Sequence, residues 1–240
     1  MPAAAKMFIS HLYSEKNLFL RLLAKRYAQC KLTMLRYISI IFFILFFNHF
    51  VFGQNDHLIP PKQINSELEI LKKYYNGLFS ILYRNLSVKP VGRYTVLPSF
   101  SSEFVLSAEK DSTNKCKLII QSCSESYWYA NKRKKVKIYR REKAVTPDLI
   151  NSIQKLFYQF INQIKESESS VMGLDGTTYC FSTYKESVGL VTGETWSPEE
   201  NSKMSKLVNI CDQLVMYTNN KDSITETIII ENINNLVNEN

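Results

Sequence analysis

The residues able to do acid, base or nucleophilic chemistry are few and badly placed. The chain holds three histidines, His11, His49 and His57. A Ser-His or Cys-His nucleophile needs a base held rigidly against it, and only His57 lies beyond the apolar run that ends near Gly53. The spacings H-E-x-x-H, G-x-S-x-G, G-x-G-x-x-G and that of a phosphate-binding loop do not occur. Histidine-dependent catalysis is therefore not expected, and nothing in the sequence points to a cofactor or a metal.

Carboxylates remain, because glycoside hydrolysis needs two of them at a set separation. Asp175, Glu194 and Glu103 fall at predicted loops or element ends and form the alternative acid/base set, with Asp148 a weaker member. Asp175 sits in GLDGTTYCF, where flanking glycines and a short acid also make a turn. Trp196, two residues from Glu194, is placed either to stack on a sugar ring or to pack under the following helix.

The most conspicuous run is SYWYANKRKKVKIYRREK, with eight basic residues and one acid between Lys132 and Lys143. A strand over Lys134 to Arg141 puts Lys135, Lys137, Tyr139 and Arg141 on one face and Val136 and Ile138 on the other. Tyr127 and Tyr129 join from the preceding strand. Such a face suits phosphates, sulfates or an anionic polysaccharide. The same lysines also serve as a solvated face that discourages edge pairing.

Charge is unevenly spread. Residues 1–53 hold seven of the 30 Lys/Arg and one of the 22 Asp/Glu, so the remaining 187 carry only +2 of the net +8. That balance argues against nucleic acid as a general partner. The run Ile38 to Phe47 is apolar except for Ser39. It is too short for a bilayer span of about 20 residues, and behind Arg36 it has the layout of a secretory signal. The expectation is a leader over 1–53, with translation starting at Met34 and a cut after Gly53, then a short mobile spacer at 54–62 and one domain over 63–240. The domain is then periplasmic or secreted; the alternative is an uncleaved N-terminal anchor, the only membrane contact expected. Beyond the leader stand Cys116, Cys123, Cys180 and Cys211. In an oxidising compartment these are disulfide candidates with three possible pairings, or else small buried apolar residues.

The elements that must position these groups follow from periodicity. A helix stripe runs Ile64, Leu68, Leu71, Tyr75, Leu78, Phe79, Leu82, Leu86, with Ser66 as its cap. Strands are predicted at Arg93 to Leu97, Glu103 to Ala108, Lys117 to Ala130 and Lys134 to Arg141. A helix opens at Thr146-Pro147 with stripe Leu149, Ile153, Leu156, Phe157, Phe160, Ile164. The loop KESESS and the turn Asp175-Gly176 lead to a hairpin of Thr177 to Tyr184 and Val188 to Thr192. Two further helices are expected from Ser197-Pro198-Glu199-Glu200 and from Ser223.

The order reads as α+β: an antiparallel sheet, a meander plus a C-terminal hairpin, packed against about four amphipathic helices. The function expected is a non-catalytic exported binding or interaction domain for an anionic polymer or another envelope protein. The alternatives are a carboxylate-dependent hydrolase of envelope or extracellular polysaccharide and a structural component of an envelope assembly.

Overall fold

The computed structural model describes residues 56–61, 68–167, 175–220 and 224–239, all within the unit Gln54–Asn240. The leader with its apolar run, and the caps expected at Ser66 and Ser223, lie outside the described residues. Among the described residues no helix is long and apolar enough to cross a membrane.

The fold is α+β, as the element order predicts. Helix α1 (Glu69–Leu82) precedes β1 (Gly92–Pro98), β2 (Phe104–Lys110), β3 (Cys116–Cys123) and β4 (Ile138–Ala144). Helix α2 (Pro147–Asn162), the hairpin β5 (Thr177–Lys185) and β6 (Gly189–Trp196), and helices α3 (Lys203–Thr218) and α4 (Glu226–Asn238) follow. The six strands form one antiparallel sheet in the order β4-β3-β2-β1-β5-β6. The first four make the expected meander, and the hairpin joins the sheet by laying β5 beside β1, with Tyr94 opposite Phe181.

Alternation divides the sheet into two unlike faces. One carries Tyr94, Val96, Leu106, Leu118, Ile120 and Phe181, and packs against Leu149, Ile153, Leu156, Phe157 and Phe160 of α2 together with α3 and α4. Each such side chain, once fully buried, contributes roughly 1.5–3 kcal/mol. The opposite face carries Leu97, Val105, Cys123 and Cys180 under Tyr74, Leu78 and Leu82 of α1. It also buries Arg93, Thr95, Ser107, Glu109, Gln121 and Glu194. The larger core therefore holds the fold together, and the polar groups collect under α1.

Local signals succeed where the chain is free to obey them. Thr146 caps α2, accepting from the Leu149 N–H, with Pro147 in the first turn. The β5–β6 hairpin turns at Gly189, whose φ of +94° suits only glycine. Helix α3 departs from its signal: it begins at Lys203, capped by Ser202, not at Ser197. The reason is the sheet. Strand β6 runs on to Trp196, the Ser197 N–H donates to the Thr177 carbonyl at 2.9 Å, and the Ser197 hydroxyl accepts from the Thr177 N–H at 2.9 Å. Ser197 closes the ladder and cannot also start a helix.

The segment at 56–61 lies against β6. Leu58 is fully buried, Ile59 and Glu194 exchange backbone hydrogen bonds at 2.9 and 2.8 Å, and Asp56 accepts from the Met204 N–H at the start of α3. His57, half-buried in this segment, is thus tied to the body of the domain.

Candidate ligand-binding surface

The basic run folds differently from a continuous strand. Strand β3 stops at Cys123 rather than Ala130, and β4 starts at Ile138 rather than Lys134. Between them Arg133–Lys135 forms a 3-10 turn, closed by the Lys135 N–H to the Lys132 carbonyl at 2.8 Å. Lys135 therefore does not share a strand face with Tyr139. The physical cause is Arg133, whose guanidinium folds back to donate to the Tyr127 and Trp128 carbonyls. It lies 5.4 Å from the Tyr127 ring centroid and 5.8 Å from those of Tyr74 and Trp128, within cation–π range.

Beneath this cluster is Glu103, fully buried. One carboxylate oxygen accepts from the Tyr74 hydroxyl at 2.7 Å and the other from the Tyr127 N–H at 2.8 Å, while the Glu103 carbonyl accepts from the Cys123 N–H. Burial and this carboxylate push the Tyr74 hydroxyl well above its ordinary pKa. Burial and, secondarily, Glu103 push the Cys123 thiol up to about 12, so it is an inert thiol at neutral pH. Gly77 of α1 fits against the Tyr127 hydroxyl, a place where a Cβ would collide. Glu103 thus joins α1, the β1–β2 turn and the β3–β4 loop.

What this anchor presents to solvent is a set of lysines. Lys132, Lys134, Lys135 and Lys137 are exposed, and none is in an ion pair among the described residues. Lys137 is held by its backbone, its carbonyl accepting from the Ser124 N–H and its N–H donating to the Ser124 hydroxyl. Tyr139 is 61% exposed on β4, an edge strand, and Tyr129 is 58% exposed in the β3–β4 loop. Tyr127, in contrast, is buried and serves the anchor.

The remaining basic residues have internal duties. Arg141 donates to the carbonyl and side-chain oxygen of Asn219, and Lys143 to the Tyr217 carbonyl and the Asn220 side chain. Both thereby satisfy the C-terminal end of α3, where cations are favoured. Arg140 and Lys117 pair with Glu142 on the other face. Arg141→Gln is expected to lower stability by about 0.5–1 kcal/mol without lowering affinity for a polyanion; urea unfolding beside a polyanion titration would check this. Weakened binding at unchanged stability would return Arg141 to the surface set.

Glu103 and Glu194 do not converge. Glu103 precedes β2 and Glu194 lies in β6, with β1 and β5 between them. Three strand spacings separate them by about 14 Å across the sheet, beyond the roughly 5 to 9.5 Å used in glycoside hydrolysis. Asp175 is exposed in the turn before β5. Trp196 is the last residue of β6 and packs against Gly176.

The disulfide expectation is corrected by the structure: no disulfide joins Cys116, Cys123, Cys180 and Cys211, and all four are buried. Cys116 and Cys211 belong to the larger core and Cys123 and Cys180 to the smaller one, across the sheet. They pack as small apolar side chains. Among the described residues no group of three or more His, Cys, Asp or Glu could hold a metal ion.

Sequence reasoning missed Phe100, which is 70% exposed and lies nearly parallel to the Tyr129 ring, with centroids 6.5 Å apart. Its signal is a lone phenylalanine in the polar turn Pro98-Ser99-Phe100-Ser101-Ser102, with no apolar partner in the pattern. Lys132, Arg133 and Lys134 are visible in the run, but Lys132 and Arg133 fall in the connection between two predicted strands and Lys134 at the start of the second, places that give them no role.

Fold and surface define an α+β domain with an antiparallel sheet covered on both faces and a lysine-bearing turn at one end. Comparison with protein-family models, curated proteins and solved structures found no match to this chain.

Proposed function

We propose that this domain is a non-catalytic binding module whose ligand is an anionic polymer, held by Lys132, Lys134, Lys135 and Lys137 with Tyr139 beside them. The supporting observation is the rigid turn: four exposed cations within six positions, none ion-paired among the described residues, on a loop fixed by Arg133. Preorganisation of this kind lowers the entropic cost of binding. The separation of Glu103 from Glu194 weighs against the hydrolase alternative. Reading the apolar run before Gly53 as an export signal places this activity outside the cytoplasm, where envelope polymers are the available polyanions.

The test is a salt series. Replacing Lys134, Lys135 and Lys137 together by Gln is expected to weaken binding to an anionic polysaccharide and to flatten the dependence of log K on log salt, by about 0.7–0.9 for each lysine that neutralises an anionic group of the polymer. The comparison is a triple Gln variant at Lys110, Lys115 and Lys155, which removes the same charge elsewhere and is expected to bind like wild type. Equal losses in both variants would reduce the effect to net charge and overturn the assignment.

A further inference from the structure

We infer that Phe100 and Tyr129 form a stacking platform for pyranose rings, so that the polymer bound by the lysine turn is an acidic polysaccharide. This rests on the anionic-polymer reading and adds what lies between the charges of the ligand. The two rings are 70% and 58% exposed yet nearly parallel, at an interplanar angle of 12°. Large aromatic faces left in water are costly unless a partner covers them, and the apolar C–H face of a sugar ring matches an aromatic face.

Both rings stand on fixed loops. In the turn that bears Phe100, the Ser99 N–H and hydroxyl both donate to the Gly176 carbonyl, at 2.9 and 2.8 Å. In the loop that bears Tyr129, the Tyr127 N–H donates to Glu103, which belongs to the Phe100 turn. One buried carboxylate therefore sets the two loops against each other, which makes Glu103 a positioning residue for the platform.

The lysines are within reach of the same ligand. Tyr129 and Lys132 are three residues apart, so their Cα atoms are separated by at most about 11 Å, and Lys134, Lys135 and Lys137 continue from there. A polymer seated on the two rings would carry its neighbouring acid groups past these cations. Glu125, the exposed acid of the same loop, opposes anions. A ring-free polyanion would use the lysines and leave both aromatics wet. Single-stranded nucleic acid would also stack, but the near-neutral balance of the body and its expected export favour the polysaccharide.

The experiment compares polygalacturonate, long-chain inorganic polyphosphate and oligo-dT as probes of the full chain at one ionic strength. Phe100→Ala and Tyr129→Ala are each expected to weaken polygalacturonate binding roughly five- to tenfold and to leave polyphosphate binding unchanged. Tyr129→Phe should retain wild-type affinity. Because both residues are exposed, unchanged unfolding midpoints show that the fold is intact. Wild-type affinity of both alanine variants for polygalacturonate overturns the platform while the lysine reading stands. Tighter binding of oligo-dT than of polygalacturonate overturns the polysaccharide assignment. Failure of the wild type to bind any of the three overturns the platform and the anionic-polymer reading together.

Discussion

Replacing Glu103 by alanine is expected to lower the free energy of unfolding by about 3–5 kcal/mol, because two charge-assisted hydrogen bonds are lost and both donors are left buried. The Tyr74 hydroxyl and the Tyr127 N–H both end on this carboxylate, and Tyr74 and Tyr127 are themselves buried. No water-facing route is open to either donor without moving α1 or the β3–β4 loop. Glu103→Gln keeps the shape and one acceptor but points an amide N–H₂ at a donor, and should cost about 1–3 kcal/mol. Urea unfolding at neutral pH reads both values. An alanine variant within about 1 kcal/mol of wild type would mean that the carboxylate does not join the loops. Because the anchor carries the aromatic platform, the Gln variant should also bind polygalacturonate more weakly than its stability loss alone explains.

The second large effect is expected at Arg93, in the polar layer on the same face of the sheet. Its guanidinium donates to the Ser87 carbonyl at 2.5 Å and lies 4.8 Å from the Tyr83 ring centroid. Glu109 accepts from the Ser87 N–H at 2.8 Å and from the Ser107 hydroxyl at 2.9 Å. One peptide segment thus bridges a buried cation and a buried anion, at 4% and 7% exposure. Burial lowers the Arg93 pKa while Tyr83 and Glu109 oppose that shift. Arg93→Met removes the cation and leaves Glu109 buried without it, at an expected cost of about 2–4 kcal/mol. Glu109→Gln in the Arg93→Met background should then cost less than it does alone, with a coupling of at least about 1 kcal/mol. A double-mutant cycle in urea measures this coupling; strictly additive losses would show that the two charges do not sense each other.

Both predictions concern groups whose importance no periodicity reveals. In sequence Glu103 and Arg93 each read as no more than the first residue of a predicted strand. Their weight comes from what a distant segment lays over them: α1 and the chain that follows it supply Tyr74, Tyr83 and Ser87. The sheet side of the network was legible as strands. The partners were not, because they are set by how the helix crosses the sheet.

The site divides in the same way. The cluster of basic residues is plain in the sequence, and so is its association with tyrosines. A strand was nonetheless the wrong conformation for much of its first half, because period-two counting cannot see that Arg133, in the connection between the two predicted strands, lies over three aromatic rings brought there by tertiary packing. With the run turned, Lys135 leaves the Tyr139 face and Tyr127 is buried. Tyr129 then stands beside Phe100, a residue 29 positions earlier in the chain, across loops joined by Glu103.

By itself, the order of hydrophobic periods determined the element types, the α+β class and the meander, because each follows from contacts within a few residues or across one turn. The cap at Thr146 and the hairpin at Gly189 belong to the same group, being local hydrogen bonding and local backbone geometry. Only the tertiary structure decided that β5 pairs with β1, that α3 waits until Lys203, that no disulfide joins the four cysteines and that the basic run turns. The strand pairing, the late helix start and the turn that sets Arg133 against Tyr74 each depend on a partner far away in sequence, whose burial or hydrogen bond outweighs a local preference of about 1 kcal/mol.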